Sequence, residues 1–253
     1  MSDHYHIKEA SYYWLDTWVM SNIIQLATMD FCKKFLSVKN DPCGRQFDQM
    51  TQAARSGQAN IAEGNARHYT SRETEMKLTD VARASIAELA SDYVFLLMSH
   101  GQVPWSIDDK RHKQVAYVQL DMACYKDDVQ HESGLHILKQ KSKFDSWLLS
   151  DDSFVVANAL LILCNRLMVM LQKQMENMLK SFREEGGFTE TLTSERLSAR
   201  AQHDKNDGAP VCPKCGKPMI KRVAKKGVNS GNPFWSCSDY PRCMGTRKYD
   251  DNI

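Results

Sequence analysis

Four cysteines near the C-terminal end follow the spacing C-x2-C-x21-C-x5-C: Cys212 and Cys215 in CPKC, then Cys237 and Cys243 in CSDYPRC. Soft thiolates bind zinc tetrahedrally, and a short turn such as Cys-Pro-Lys-Cys-Gly aims two sulfurs at one ion. A segment this short buries too little apolar surface to fold unaided, so the metal supplies its folding energy. Four bound cysteines leave no open coordination position. One structural zinc is therefore expected, set against disulfides or free thiols at the same positions, and no hydrolytic chemistry is expected from it.

The residues around the cysteines are basic and aromatic. From Gly208 to the end there are nine Lys and Arg against three Asp, a balance of +6 that zinc with four thiolates reduces to roughly +4. Phe234, Trp235, Tyr240 and Tyr249 are interleaved with these bases. Aromatic faces stack on unpaired bases, at about 1–3 kcal/mol each, while Lys and Arg follow the phosphates. Candidate nucleic-acid contacts are Phe234, Trp235, Tyr240, Arg222, Lys225, Lys226 and Arg242. The plainer alternative gives Phe234 or Trp235 to the small core and leaves the lysines as a solvated face. Protein docking is the rival use of such a surface.

The stretch VCPKCGKPMIKRVAKKGVNSGNPFWSCSDYPRCMGTRKY resembles the small zinc ribbons repeated at the C-terminus of bacterial type IA DNA topoisomerases. Ser236 departs from the glycine usual before the third cysteine. The resemblance covers about residues 210–249 and implies binding of DNA, preferentially single-stranded, with no catalytic residue.

The whole chain has 253 residues and a net charge of +2 from 33 basic and 31 acidic side chains. Removing the ribbon's share leaves 24 basic and 28 acidic residues, or −4, so the body is not a basic nucleic-acid surface on average. The longest apolar stretch, Phe154–Leu171, is broken by Asn158, Asn165 and Arg166, and no membrane span is expected. MSDHYHIKEA lacks the pattern of a signal peptide, so a cytoplasmic, nucleoid-associated location is the expectation. Cys32, Cys43, Cys124 and Cys164 read as reduced thiols in packing positions.

Helical periodicity dominates residues 8–186. Ala157, Leu161, Cys164, Met168, Leu171, Met175, Met178 and Phe182 form a heptad seam beside a second stripe of Val156, Leu160, Leu163, Leu167 and Met170. Asp151 or Asp152 caps this helix and Gly186-Gly187 ends it. Thr70-Ser71-Arg72-Glu73 reads as a capping box before Leu78, Ala82, Ile86, Leu89, Tyr93 and Leu96. Asp41-Pro42 starts another helix, with Pro at its first position and Phe47, Met50, Ala54, Gly57 and Ile61 on one face. The first helix spans about Glu9 to Leu36, with Trp14, Trp18, Ile23, Leu26 and Phe35 inward.

The fold expected is mainly α: an up-and-down four-helix bundle over 1–187 with a helical insertion at about 101–150. A polar linker follows over 188–209, with a short helix at 193–201, and then a small β zinc ribbon over 210–253. Within the insertion, Asp108 to Lys126 reads as helical with Val115, Val118 and Met122 on one side. His131 and His136 are five apart around Gly134, a poor spacing for a helical metal site.

QAARSGQANIAEG, Gln52 to Gly64, and Ser85-Ile86-Ala87-Glu88-Leu89 resemble the bacterial four-helix-bundle family first noted in intervening sequences of large ribosomal RNA genes. Gly57-Gln58 replaces that family's usual Ile-Pro. The resemblance implies a bundle that assembles into rings and has no known enzymatic activity. Ala53, Gly57, Ala59 and Ala62 let a neighbouring helix approach. Asn60 and Glu63, followed by Gly64, read as a structural polar cluster partnered by Arg55, Arg67 or Arg83.

The chain contains no Asp-x-Asp, no phosphate-binding GxxxxGKS loop, no GxSxG and no HExxH. The resulting expectation is a non-enzymatic adaptor. Its ribbon binds DNA, its bundle makes a homo-oligomer, and no membrane is involved. The alternatives are a module whose ribbon docks a nucleic-acid enzyme and an auxiliary topoisomerase-related factor without catalysis of its own.

Overall fold

The computed structural model describes residues 11–37, 41–68, 70–185, 193, 196–198, 209–225 and 229–249. The chain divides into two compact units, Met1–Glu185 and Gly186–Ile253.

The first unit is helical. Helices α1 (Asp16–Phe35), α2 (Arg45–Ala66), α3 (Arg72–Ser99) and α7 (Ser153–Glu185) form an up-and-down bundle in which each packs on the next and α7 closes against α1. Between α3 and α7 lie α4 (Lys110–Ala116), α5 (Val129–Ser142) and α6 (Asp145–Leu148). Ile23, Ile24, Phe31, Met50, Ile61, Ile86, Leu89, Tyr93, Leu97 and Leu160 are fully buried in one core. Each such side chain contributes about 1.5–3 kcal/mol by leaving water. The Tyr93 hydroxyl, buried with them, donates to Thr28 Oγ1 at 3.0 Å.

α7 is the central element. Both apolar stripes of its first half are buried, while Met175 and Met178 are half-covered and Phe182 is exposed. By length and composition α7 could cross a membrane, yet 61% of its apolar window is buried within the bundle. Two of its three polar interruptions have internal partners, and Asn165 is exposed. Asn158 Oδ1 accepts from the Trp105 N–H at 2.7 Å, and Arg166 donates to the Val118 carbonyl. Asp152 caps the helix by accepting from Phe154 N.

Several boundaries differ from the periodicity. A 3-10 turn at Tyr12–Trp14 precedes α1, which begins at Asp16 because Leu15 is extended. Tyr12, Tyr13 and Trp18 stack together there, so tertiary aromatic contacts set the break. Leu26 is exposed. Pro42 lies in a turn, not at the first helical position; α2 starts at Arg45, with the Asp41 carboxylate reaching over to Phe47 N at 2.9 Å. The α3 cap is Ser71, whose hydroxyl accepts from Thr74 N; Glu73 instead pairs with Lys77 one turn on.

The helix expected over 108–126 ends at Ala116. The following segment is irregular, and Met122 is 89% exposed. Side chains from other elements satisfy its backbone: Gln140 accepts from Asp121 N, and Lys143 donates to Gln119 O. Tertiary hydrogen bonds have displaced a weak local helix. Of the four cysteines outside the ribbon, Cys32 and Cys164 pack in the core, whereas Cys43 and Cys124 are exposed. The helix stop at Gly186-Gly187 and most of the expected linker lie outside the described residues; 193 and 196–198 are helical.

The second unit contains a three-stranded antiparallel sheet in the order β1 (Met219–Val223), β2 (Pro233–Cys237), β3 (Thr246–Lys248). Lys221 pairs with Trp235 and Trp235 with Arg247, while Arg222 pairs with Phe234 and Phe234 with Lys248. Because successive side chains alternate, this register places Trp235 and Phe234 on opposite faces.

Candidate metal centre and its basic sheet

Each cysteine pair comes from a tight turn at one end of the sheet. In the first turn Gly216 N donates to Cys212 O at 2.9 Å, and Lys214 N points at the Cys212 sulfur at 3.4 Å. In the second, Cys243 N donates to Asp239 O at 3.0 Å, and Asp239 N points at the Cys237 sulfur at 3.4 Å. The two knuckles are thus built alike, with backbone N–H groups aimed at sulfur. Lys217 bridges them through an ion pair to Asp239 at 2.9 Å.

The four sulfurs converge. Cys212 and Cys243 are 3.8 Å apart, Cys215 and Cys237 are 3.4 Å apart, and all four lie within 4.8 Å of one another. A tetrahedron with zinc–sulfur bonds of about 2.3 Å has edges of ~3.8 Å. The donor set therefore fits one zinc ion, with Cys212, Cys215, Cys237 and Cys243 as its ligands. Bound there, zinc would cross-link the two knuckles and supply folding energy, with no coordination position left for a substrate.

The sulfurs differ in acidity. Burial opposes ionisation of Cys212, but the N–H groups of Lys214 and Cys215 and the thiols of Cys215 and Cys243 bring it down to about 7. Burial pushes Cys237 up to about 12, and the neighbouring thiols add to that rise. Zinc coordination replaces these protons, so metal loading releases them.

Gly245 is the ligand-site residue that spacing did not reveal. It is buried, and a Cβ placed on it would overlap the Cys212 sulfur and touch Cys243 Sγ at 3.6 Å. Its N-terminal neighbours close the second knuckle, and its carbonyl accepts from Cys237 N at 2.9 Å. Nothing but hydrogen fits there. The signal was present as the glycine two places after the last cysteine, but only the fold shows what it faces.

The candidate nucleic-acid residues separate onto two faces. Trp235 packs with Met219, Cys212, Cys237 and Cys243 over the cysteine cluster. It also lies 5.4 Å from the Tyr249 ring, which Lys221 covers at 3.7 Å. Phe234 stands on the opposite face between Arg222 and Lys248. Tyr240, 51% exposed, takes the Arg222 guanidinium over its ring at 5.5 Å. Lys225 and Arg242 are exposed; Lys226 lies outside the described residues. A groove of about 650 Å³ opens beside Phe234, with Ala224, Asn229, Asn232, Thr246 and Lys248 among the residues that line it.

In the helical unit, the expected Asn60–Glu63 cluster is rearranged. Asn60 Nδ2 donates to the Ser56 carbonyl and hydroxyl, and Ser56 bonds Ser85 across to α3 at 3.0 Å. Glu63 is exposed and takes no part, and Arg83 pairs with Asp80 within α3. The buried carboxylate is instead Glu75, held by His68 Nδ1 at 3.0 Å. Gly57 and Gly64 mark where α2 meets α3. A Cβ on Gly57 would fall 2.6 Å from Ile86 Cδ1, and one on Gly64 would fall 3.2 Å from Leu78 Cβ. Among the described residues, the metal-ligand cluster is the four cysteines, and neither His131 nor His136 joins one.

No curated protein and no solved structure matches the chain. Residues 210–252, which hold all four converging cysteines and the whole sheet, match the family described as the topoisomerase DNA binding C4 zinc finger.

Proposed function

We propose that the protein is a non-enzymatic nucleic-acid-binding adaptor. In this reading the zinc ribbon binds DNA, preferentially unpaired strands, and the helical unit brings several copies together. The observation that carries it is the Phe234 face: one half-exposed aromatic flanked across the strands by Arg222 and Lys248, with Tyr240 under the same arginine. Such a surface offers a π-face to a base and cations to the phosphates on either side. The family description of the matched residues, DNA binding, agrees with it.

Oligomerisation is supported by apolar residues the isolated chain leaves uncovered, Leu179 and Phe182 on α7 with Phe95 and Met98 on α3. Several weak ribbons on one scaffold gain avidity without strong single contacts. The resemblance to the ribosomal-RNA intervening-sequence bundles points the same way. A cytoplasmic, nucleoid-associated location belongs to the same proposal.

The test is fluorescence anisotropy with single-stranded and duplex DNA over a salt series. The zinc-loaded chain is compared with one ending at Gly208. About four phosphate contacts predict a slope of log affinity on log salt near −3 for single strands. Binding that persists after truncation would move the site to the helices. Absence of binding would favour docking of a protein partner, such as a nucleic-acid enzyme.

A further inference from the structure

The sheet has two ends, and only one holds the cysteines. At the other, β1 runs out at Ala224, β2 begins after Asn232, and β3 leaves through Lys248 and Tyr249. Ala224 N donates to Asn232 O and Gly231 N donates to Ala224 O, so the pairing continues to the turn and fixes its base. Asn232 N donates to Asn229 O, which holds the two asparagines at the mouth of the groove. Both are exposed, and among the described residues neither side-chain amide has a hydrogen-bond partner.

We infer that this groove is a base-reading subsite selective for purines, with Phe234 as its stacking floor and the Asn229 and Asn232 amides as its readers. The inference rests on the DNA-binding reading and deepens it. Ala224, Asn232, Phe234, Thr246 and Lys248 alternate onto one face, so floor, rim and cation share one side of the sheet. At about 650 Å³ the groove holds a single flipped-out base with room to spare. An amide carries a donor and an acceptor side by side, which matches N7 and the exocyclic amino group of adenine. For guanine the same amide N–H meets N7, while Lys248, lining the groove on the Phe234 face, donates to O6. Both pairings use N7, an atom pyrimidines lack. In an unpaired strand that edge is open. Among the described residues, no carboxylate lines the groove to accept from cytosine N4.

The test uses the full zinc-loaded chain and an oligothymidylate of about twelve nucleotides. Compared with it are the same strand carrying one central adenine, guanine, cytosine or 7-deazaadenine. Adenine and guanine strands are expected to bind about tenfold more tightly than the others. The 7-deazaadenine strand, lacking N7, should fall back to the thymidylate value on the unaltered protein. N229A and N232A together should erase the adenine preference, bringing the adenine strand down to the oligothymidylate value. Tight binding with no purine preference, or a preference indifferent to N7, would overturn the subsite and leave the DNA-binding reading standing. Failure of every strand to bind would overturn both.

Discussion

Gly245→Ala is the most demanding test of the metal centre. Gly245 is not among the glycines with positive φ, so its backbone suits any residue, and the requirement for glycine is purely spatial. An added methyl would coincide with the Cys212 sulfur, and that sulfur or the Gly245 backbone must retreat by more than the ~0.2 Å that zinc–ligand distances tolerate. Structural zinc sites bind with apparent free energies of about 10–16 kcal/mol, or ~3 kcal/mol for each of four ligands. Effective loss of Cys212 should therefore weaken zinc about a hundredfold, since ~1.4 kcal/mol is tenfold. The assay is competition with a chromophoric chelator, alongside the cobalt-substituted spectrum, which reports four sulfurs against three. Gly216→Ala is the comparator. Gly216 has φ +71° in open space, so alanine there adds about 1–2 kcal/mol of left-handed strain without displacing a sulfur. It should cost no more than about thirtyfold and keep the four-sulfur spectrum. Unaltered zinc affinity in Gly245→Ala would refute the packing argument.

Further perturbations bear on the same picture. Cys237→Ser should unfold the ribbon while the helical circular dichroism of the first unit persists; loss of helix signal would show that the units fold together. Gly57→Ala should gain ~1 kcal/mol of helix propensity but lose about 1–3 kcal/mol to the Ile86 contact. Ile86→Val, which removes the nearest carbon, should make Gly57→Ala less damaging, and urea midpoints that add to within about 0.5 kcal/mol would contradict the close approach. Burial lowers the His136 pKa, with Asp121 and Asp16 opposing that shift and Lys139 and Lys143 reinforcing it. Its neutral form suits the fold, so this contribution is complete above about pH 6.5 and is lost as pH falls through the lower folded value. His136→Phe should flatten stability over that range, and an unchanged pH profile would count against it.

Much of this was legible before any coordinates. Cysteine spacing alone gives the ligand set, because knuckle geometry is local. The buried face of α7 also follows from sequence, since a wide apolar stripe has one stable destination. What was hidden depends on distant partners. The 117–127 segment is non-helical where Gln140 and Lys143 satisfy its backbone, and neither is near it in sequence. Glu75 is the buried acidic side chain in place of the Asn60–Glu63 cluster, because His68 folds back from the turn between α2 and α3. Adjacency in a strand already forced Phe234 and Trp235 to opposite faces, but that Trp235 is the one covering the cysteines required the folded sheet.

The placement of all four sulfurs at one end of the sheet separates two kinds of change. Residue pairs added to or removed from the turn joining β1 and β2 alter the groove, yet leave both knuckles untouched. Substitutions at Asn229 or Asn232 carry no metal penalty, and those at Gly245 carry no direct cost in recognition. If the proposed subsite holds, a lineage, or an engineer, can retune what such a ribbon reads without renegotiating how it folds.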